Sequence, residues 1–375
     1  MSAFSPACLR DDLATALHGS EELWRSLDGA QMLLTGGTGF VGCWLLEAFC
    51  HAVDQWGIDA RIDVASRNPA KLAEVAPHLA SHRAVRTVRA DVTTGMLPEL
   101  PYTHVIHAAI QTNVALTEPS ALEIFDSSVV GTRHVLDLCA RQGVKRFLMV
   151  SSGAVYDRAS AQADGARESD PLALVRPDRA SGYAIGKVAA EYLTLAQSRE
   201  YGFSAVIARL FAFVGPYLPL RSHYAVGNFI GDVLEGRDIT IQSDGRAVRS
   251  YMYGSDMAHW IWTMLVQGAN GEIFNVGGAT PVSIAELAHQ VAAALDPLAS
   301  ESVRVNVLGK PGNGPVDRYV PSVARAGHAL GLKSTMPFDE GIRRTARWAA
   351  YESAHSQDAI GRSDNAVETN SSLST

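Results

Sequence analysis

The strand-like stretch Gln31–Leu34 runs straight into Thr35-Gly36-Gly37-Thr38-Gly39-Phe40-Val41-Gly42, after which apolar residues recur at helical spacing from Phe40 to about Trp56. A strand, a glycine turn and a helix in direct succession leave few folds open, because a crossover helix returns the chain to start a strand parallel to the first. Gly36, Gly39 and Gly42 together permit a tight turn, close approach of backbone N–H groups to a pyrophosphate, and close packing of the helix on its strand.

The alternation continues. Strands are expected at Arg61–Ala65, Ala84–Val92, His104–Ala109, Arg146–Ser151 and Ser204–Leu210, with helices near 68–80, 119–143 and 181–201 between them. Continuous apolar runs such as Phe147-Leu148-Met149-Val150 suit a parallel sheet covered by helices on both faces. Ahead of this unit, Leu13, Leu17, Leu23, Trp24 and Leu27 mark an amphipathic helical extension over 9–28. After Leu210 the pattern breaks into Gly- and Pro-punctuated pieces with helices at 225–236, 255–267, 283–296 and 338–350, which read as a smaller lobe. The expected division is therefore an extension over 1–28, a nucleotide-binding unit over 29–210 and a substrate lobe over 211–353, followed by a polar, unpacked tail over 354–375. Asp157–Arg179, rich in Asp, Arg, Ala and Pro, is expected to be a mobile flap.

With 47% apolar and 19% charged residues over 375 positions, the chain can bury a large core. A net charge of -7 argues against nucleic acid as a partner, although a basic pocket for an anionic substrate can coexist with it. Cys8, Cys43, Cys50 and Cys139 form no C-x-x-C pair, so neither a disulfide framework nor a zinc site is expected. Residues 1–10 lack a basic region followed by an apolar core, and no run approaches the roughly 18 apolar residues that would span a bilayer. The expectation is a cytoplasmic protein with no membrane partner. His104 and His107, three apart on a strand, point to opposite faces and do not share a metal.

Chemistry is concentrated elsewhere. Tyr183 and Lys187 stand one helical turn apart on the same face, where an ammonium can lower the pKa of a phenol from about 10 in water. About thirty residues earlier the strand Val150-Ser151-Ser152 ends in hydroxyls, and Ser152 can hydrogen-bond a reacting oxygen. At the end of the second strand, where an acid would select NAD by its ribose hydroxyls, the chain has Ser66 and Arg67, and an arginine there suits the 2′-phosphate of NADP. Asp91-Val92 closes the third strand and can meet the adenine, or form a turn.

Taken in order, the glycine motif, Asp91-Val92, His107-Ala108-Ala109, Gly131-Thr132, Ser151-Ser152, Tyr183 with Lys187, Gly215-Pro216, Arg249 with Asp256, and Phe274-Asn275-Val276-Gly277 resemble an extended short-chain dehydrogenase/reductase of the nucleotide-sugar epimerase/dehydratase family, over roughly residues 30–350. The resemblance implies an α/β fold, a Rossmann-type doubly wound parallel sheet with a smaller C-terminal substrate-binding lobe. It implies Ser152, Tyr183 and Lys187 as the catalytic set. Cofactor contacts are expected from Gly36, Thr38, Gly39, Phe40, Val41, Gly42, Ser66, Arg67, Asp91, Val92, Ala108, Ala109 and Lys187. Substrate contacts are expected from Gln111, Ser152, Gly153, Tyr183, His223, Asn228, Arg249 and Arg318, with the two arginines clamping a diphosphate. The cofactor is NAD or NADP, with Arg67 favouring NADP, and the family implies a homodimer through helices 119–143 and 181–201.

Departures from the family pattern narrow the chemistry. Where dehydratases carry an Asp-Glu pair after the catalytic hydroxyl, this chain has Gly153-Ala154, and the helix position that is often Asn is Ser128. The sequence thus points to oxidoreduction of a nucleotide-activated sugar at C4, by 4-epimerisation or 4-keto reduction. The alternatives are a 4,6-dehydratase that finds its acid elsewhere, or a non-catalytic NAD(P)-sensing protein.

Overall fold

The computed structural model describes residues 6–109, 120–157, 164–173, 179–222, 224–295, 303–310, 312 and 314–371; for 6–8, 179–181 and 355–371 it describes the backbone alone. In chain order the strands are β1 (Gln31–Thr35), β2 (Arg61–Ser66), β3 (Val85–Arg89), β4 (His104–His107), β5 (Arg146–Ser152), β6 (Ser204–Leu210), β7 (Ala212–Val214), β8 (Ile239–Ile241), β9 (Val248–Arg249), β10 (Tyr251–Tyr253), β11 (Ile273–Val276), β12 (Val282–Ser283), β13 (Val305–Val307) and β14 (Arg318–Tyr319). The helices are α1 (Pro6–Ala16), α2 (Glu21–Arg25), α3 (Phe40–Trp56), α4 (Ala70–Val75), α5 (Pro77–Ala80), α6 (Ala121–Gln142), α7 (Arg179–Tyr201), α8 (Ala225–Leu234), α9 (Gly254–Gln267), α10 (Ile284–Leu295), α11 (Ala324–Leu330) and α12 (Phe338–Ser371).

Seven described strands form one parallel sheet in the order β11-β6-β5-β4-β1-β2-β3. Side-chain alternation divides the core between its two faces. Met32 and Leu34, Leu148 and Val150, and Val206 and Ala208 join α3 and α9 on one side, whereas Leu33, Phe147, Met149, Ala205 and Ile207 join Val135, Leu136 and Ala190 of α6 and α7 on the other. The order reverses between β1 and β4, so a crevice opens at their carboxyl ends, where ligands of such sheets bind.

Several segments differ from their sequence reading. The expected 9–28 helix is two, α1 and α2, separated at Gly19 with φ +75°. Its apolar residues do bury: Leu9, Leu13, Leu17, Leu23, Trp24 and Leu27 enter the core against α3 and α9, where Trp24 lies 5.0 Å from Trp262. The 68–80 helix is likewise divided into α4 and α5 at Ala76, which precedes Pro77 and is held out of helical geometry. The sheet draws its last strand, β11, from beyond residue 210, through pairing with β6. Helix α12 continues from the expected 338–350 to Ser371, through the described part of the segment read as a polar, unpacked tail over 354–375.

The expected flap needs correction. Its described part, 164–173, is docked: Ala166 donates to Val320 O at 2.9 Å and accepts from Ser322 N at 2.8 Å, and Leu172 bridges Tyr156. Ala166 and Ala173 are buried, and a side chain at Gly165 would meet Pro321 at 2.6 Å. Backbone pairing that uses no side-chain pattern left no apolar periodicity to read.

Candidate active site

The glycine turn sits at the switch point and is shaped by close contacts. Gly36 has φ +75°, and a Cβ there would fall 2.7 Å from the Ala108 carbonyl carbon; a Cβ on Gly42 would fall 2.3 Å from Gly37 Cα. Gly39 differs: a Cβ there would meet only Gly36 O, at 3.8 Å. Gly39 caps α3 with no side chain on the helix N-terminus, leaving a positively polarised end facing open space. That is the surface a dinucleotide pyrophosphate requires.

A proton chain fixes the crevice walls. Thr132 Oγ1 donates to Ser128 O at 2.5 Å, so it must accept from His107 Nε2 at 3.1 Å. His107 Nδ1 then accepts from Thr35 Oγ1 at 2.8 Å, and Thr35 Oγ1 accepts from Ala109 N at 3.1 Å. Burial, with the nearby Lys187, pulls the His107 imidazole down to about 3, which keeps this tautomer neutral.

One cavity of about 930 Å³ runs from the glycine turn to the end of β5. Of the expected cofactor residues it is lined by Gly36, Thr38, Gly39, Phe40, Val41, Gly42, Ser66, Arg67, Asp91, Val92, Ala108, Ala109 and Lys187. Lys71 joins Arg67 in the part of the cavity that follows β2. The nearest acid on β2, Asp63, is buried and turned away, accepting from Arg86 and from Tyr102 OH at 2.7 Å. Asp91 lines the cavity while its Oδ1 accepts from Thr93 N at 2.9 Å, so it also forms the turn.

At the far end lie Ser152, Tyr183 and Lys187. Lys187 is buried and donates from Nζ to Val150 O at 2.6 Å; burial draws its ammonium down to about 8 while Glu191 opposes the shift. Burial also raises the Tyr183 phenol above its ordinary value, and the Ser152 hydroxyl draws it partly back. Lys187 does not enter that balance, so the depression of the phenol expected from its ammonium is not seen here. Behind them is a buried polar network. Ser151 Oγ donates to Glu191 Oε1 at 2.5 Å, Arg209 pairs with Glu191 at 2.7 Å and donates to Tyr156 OH at 2.9 Å, and Tyr156 donates to Asn275 Oδ1 at 2.7 Å.

The expected substrate residues are only partly brought together. Ser152, Tyr183 and Arg249 line the cavity; Gln111 and His223 lie outside the described residues. Asn228 is turned to its own loop, accepting from Ser222 N at 3.1 Å and donating to Ser222 O at 2.8 Å. Arg249 carries a counter-ion, Asp317, at 2.7 Å. Arg318 lies on β14 beside β9 rather than among the lining residues, because its neighbour Tyr319 takes the cavity side. Gly153 is walled off: a Cβ there would meet the Phe211 ring at 2.6 Å. Sequence reasoning missed Tyr319, whose hydroxyl stands 3.2 Å from Ser152 Oγ, and Phe211, which packs on it at 4.7 Å. Only their fold partners mark them, and those lie far away in sequence.

Residues 32–277 match the NAD dependent epimerase/dehydratase family, so the chain belongs to that family, among the extended short-chain dehydrogenase/reductases that act on nucleotide sugars. It is 26% identical over 324 residues to the dTDP-glucose 4,6-dehydratase of Streptomyces niveus, covering 85% of this chain and 92% of that one. A dTDP-glucose 4,6-dehydratase of Streptomyces venezuelae, solved with NAD and TYD bound, superposes with a TM-score of 0.70 at 25% identity over 85% of this chain and 96% of its own. The UDP-glucose 4-epimerase of Thermotoga maritima shares the fold, with a TM-score of 0.71 at 20% identity over 85% and 98% of the two chains.

Proposed function

We propose that this protein carries out NAD(P)-dependent oxidoreduction of a nucleotide-activated sugar at C4, as a 4-epimerase or a 4-keto reductase, with Tyr183 as acid/base. The observation that carries the reading is the convergence of Ser152, Tyr183 and Lys187 at one end of a cavity whose other end is the glycine turn. A bound nicotinamide supplies hydride acceptance and donation there. The chain's own residues handle the proton: Tyr183 exchanges it with the sugar oxygen, Ser152 orients that oxygen, and Lys187 supplies positive charge beside the phenol. A neutral phenol is ready to give its proton to a developing alkoxide, the direction of ketone reduction. Arg67 and Lys71 support NADP over NAD, since together they offer two cations to a 2′-phosphate.

The dehydratase relatives favour a second reading, a 4,6-dehydratase. Against it, Asp91 is the sole acid among the described cavity-lining residues, and Phe211 fills the space beyond Gly153. Exposed Leu122, Val130 and Tyr192 on α6 and α7 support a homodimer through those helices. Among the described residues no helix is long and apolar enough to cross a membrane, and buried, unpaired Cys43, Cys50 and Cys139 accord with a cytoplasmic setting. The test is a panel of sugar nucleotides and their 4-keto forms, followed by nicotinamide absorbance and product mass. Hydride transfer with unchanged mass, or with a gain of two hydrogens, is expected. Tyr183→Phe should lower kcat by about 10²–10⁴ while still binding cofactor. Near-normal turnover in that variant would refute the assignment, and loss of one water from the substrate would favour the dehydratase.

A further inference from the structure

Ser152 presents a hydrogen-bonding problem with a definite count. Its hydroxyl has one proton and two lone pairs. Ala154 N donates to Oγ at 3.1 Å and occupies one lone pair. The Tyr319 hydroxyl stands 3.2 Å away and equally 3.2 Å from Leu210 O, so both atoms lie within reach of its proton. If it goes to Leu210 O, Ser152 can give its own proton to Tyr319, and Tyr183 loses that donor. If it goes to Ser152, both lone pairs of Oγ are filled and the Ser152 proton is left for the phenol of Tyr183 or the sugar oxygen beside it. The two arrangements differ by the rotation of two hydroxyls.

Tyr319 is held where this choice matters. Its ring packs on Phe211 at 4.7 Å, and the segment it begins is pinned to Ala166 through Val320 O and Ser322 N. Asn275 Nδ2 donates to Ser322 O at 3.1 Å and to Ala166 O at 2.8 Å, tying the same segment to β11 of the central sheet. The hydroxyl therefore reaches Ser152 on a support that belongs to a different part of the chain, and it lies near enough to act on the Tyr183 phenol as well.

We propose that Tyr319 is a positioning residue: its hydroxyl donates to Ser152 and thereby directs the Ser152 proton toward Tyr183 and the reacting oxygen. This rests on the reading of Tyr183 as the acid/base. It gives β14 a role in the chemistry, since removing one hydroxyl on that strand releases the Ser152 rotor without removing Ser152.

The test uses full-length protein labelled at tyrosine with ¹³Cζ, the Tyr183 resonance being assigned by its loss in Tyr183→Phe. Tyr319→Phe deletes the hydroxyl and keeps the ring on Phe211, and an unchanged melting temperature and near-UV spectrum verify the packing. The Tyr183 signal is expected to move in the same direction in Tyr319→Phe as in Ser152→Ala, and the double variant is expected to coincide with Ser152→Ala alone. A Tyr183 resonance that stays at its wild-type position in Tyr319→Phe overturns the proposal, as does a double variant that shifts by the sum of the two single changes. The measurement needs no substrate. A sugar-nucleotide panel without hydride transfer would sink the functional reading and leave these shifts standing, while unmoved shifts in an active enzyme would remove only the role of Tyr319.

Discussion

Lys187 should make the cofactor-free protein less stable at neutral pH, and the size of that cost follows from its surroundings. The side chain is buried, and its ammonium is drawn from 10.5 to about 8. At about 1.4 kcal/mol per decade, keeping it charged in the folded state costs roughly 3 kcal/mol below pH 8. Lys187→Met removes that cost but leaves Val150 O without the donor it now has at 2.6 Å, a loss of about 1 kcal/mol. Glu191 is not orphaned, because Arg209 holds it at 2.7 Å. The net expectation is a variant more stable by about 2 kcal/mol at pH 7.

The sign of the pH dependence is fixed. The folded value lies below the unfolded one, so between about 8 and 10.5 the unfolded chain binds more protons and wild-type stability rises with pH through that window. The advantage of Lys187→Met should therefore fade as pH rises from 8 and be gone near 10.5, with the lost hydrogen bond then leaving the variant slightly less stable. Urea unfolding of both proteins without cofactor at several pH values measures this, since other titrating groups cancel in the difference. A variant no more stable than wild type at pH 7, or an advantage that persists to high pH, would refute the reasoning. Loss of turnover in the same variant would mark the cost as one retained for function.

Arg67→Ala should weaken NADP binding by about 10- to 100-fold, the equivalent of one or two charge-assisted hydrogen bonds, and change NAD binding little; calorimetric titration with both cofactors would show it, and equal weakening of the two would remove the case for NADP. Gly153→Ala should cost about 1–3 kcal/mol in urea unfolding, because its Cβ would fall 2.6 Å from the Phe211 ring, and Phe211→Leu should restore most of the loss. A Gly153→Ala protein as stable as wild type would show that the ring moves aside freely.

The parts of this fold that were legible in sequence share a cause. Strands β1, β2, β5 and β6 are buried on both faces and helices α3, α6 and α7 pack against them, so burial leaves continuous apolar runs in the strands and a near-3.6 apolar spacing in the helices, and both can be read. The glycine turn was legible because contact with Ala108 at Gly36 and within the turn at Gly42 admits no side chain. What was not legible depends on pairing between distant segments. The docking of 164–173 runs through backbone groups of Val320 and Ser322, β11 is a four-residue strand ordered by β6, and Tyr319 enters the site on the two-residue β14. The Asp317 counter-ion to Arg249 and the Phe211 ring over Gly153 are likewise contacts between positions more than fifty residues apart, which no local pattern encodes.

These long-range contacts explain why the site carries a buried ion pair. An Arg–Glu pair taken out of water gains little net stability over apolar residues of the same size, so Glu191–Arg209 is poor evidence for a stabilising role. Its partners point instead to position. Through Ser151 it reaches the residue next to Ser152; through the helix it stands one turn from Lys187; through Tyr156 and Asn275 it reaches the segment that carries Tyr319. The neutral chain of Thr35, His107 and Thr132 does the same for the crevice between β1 and β4. A reaction that passes one proton across a single phenol depends on hydroxyls held in a fixed direction, and apolar packing cannot set the direction of an O–H bond. Buried polar networks with every member satisfied can, and in this protein one stands behind the end of β5 and the other between β1 and β4.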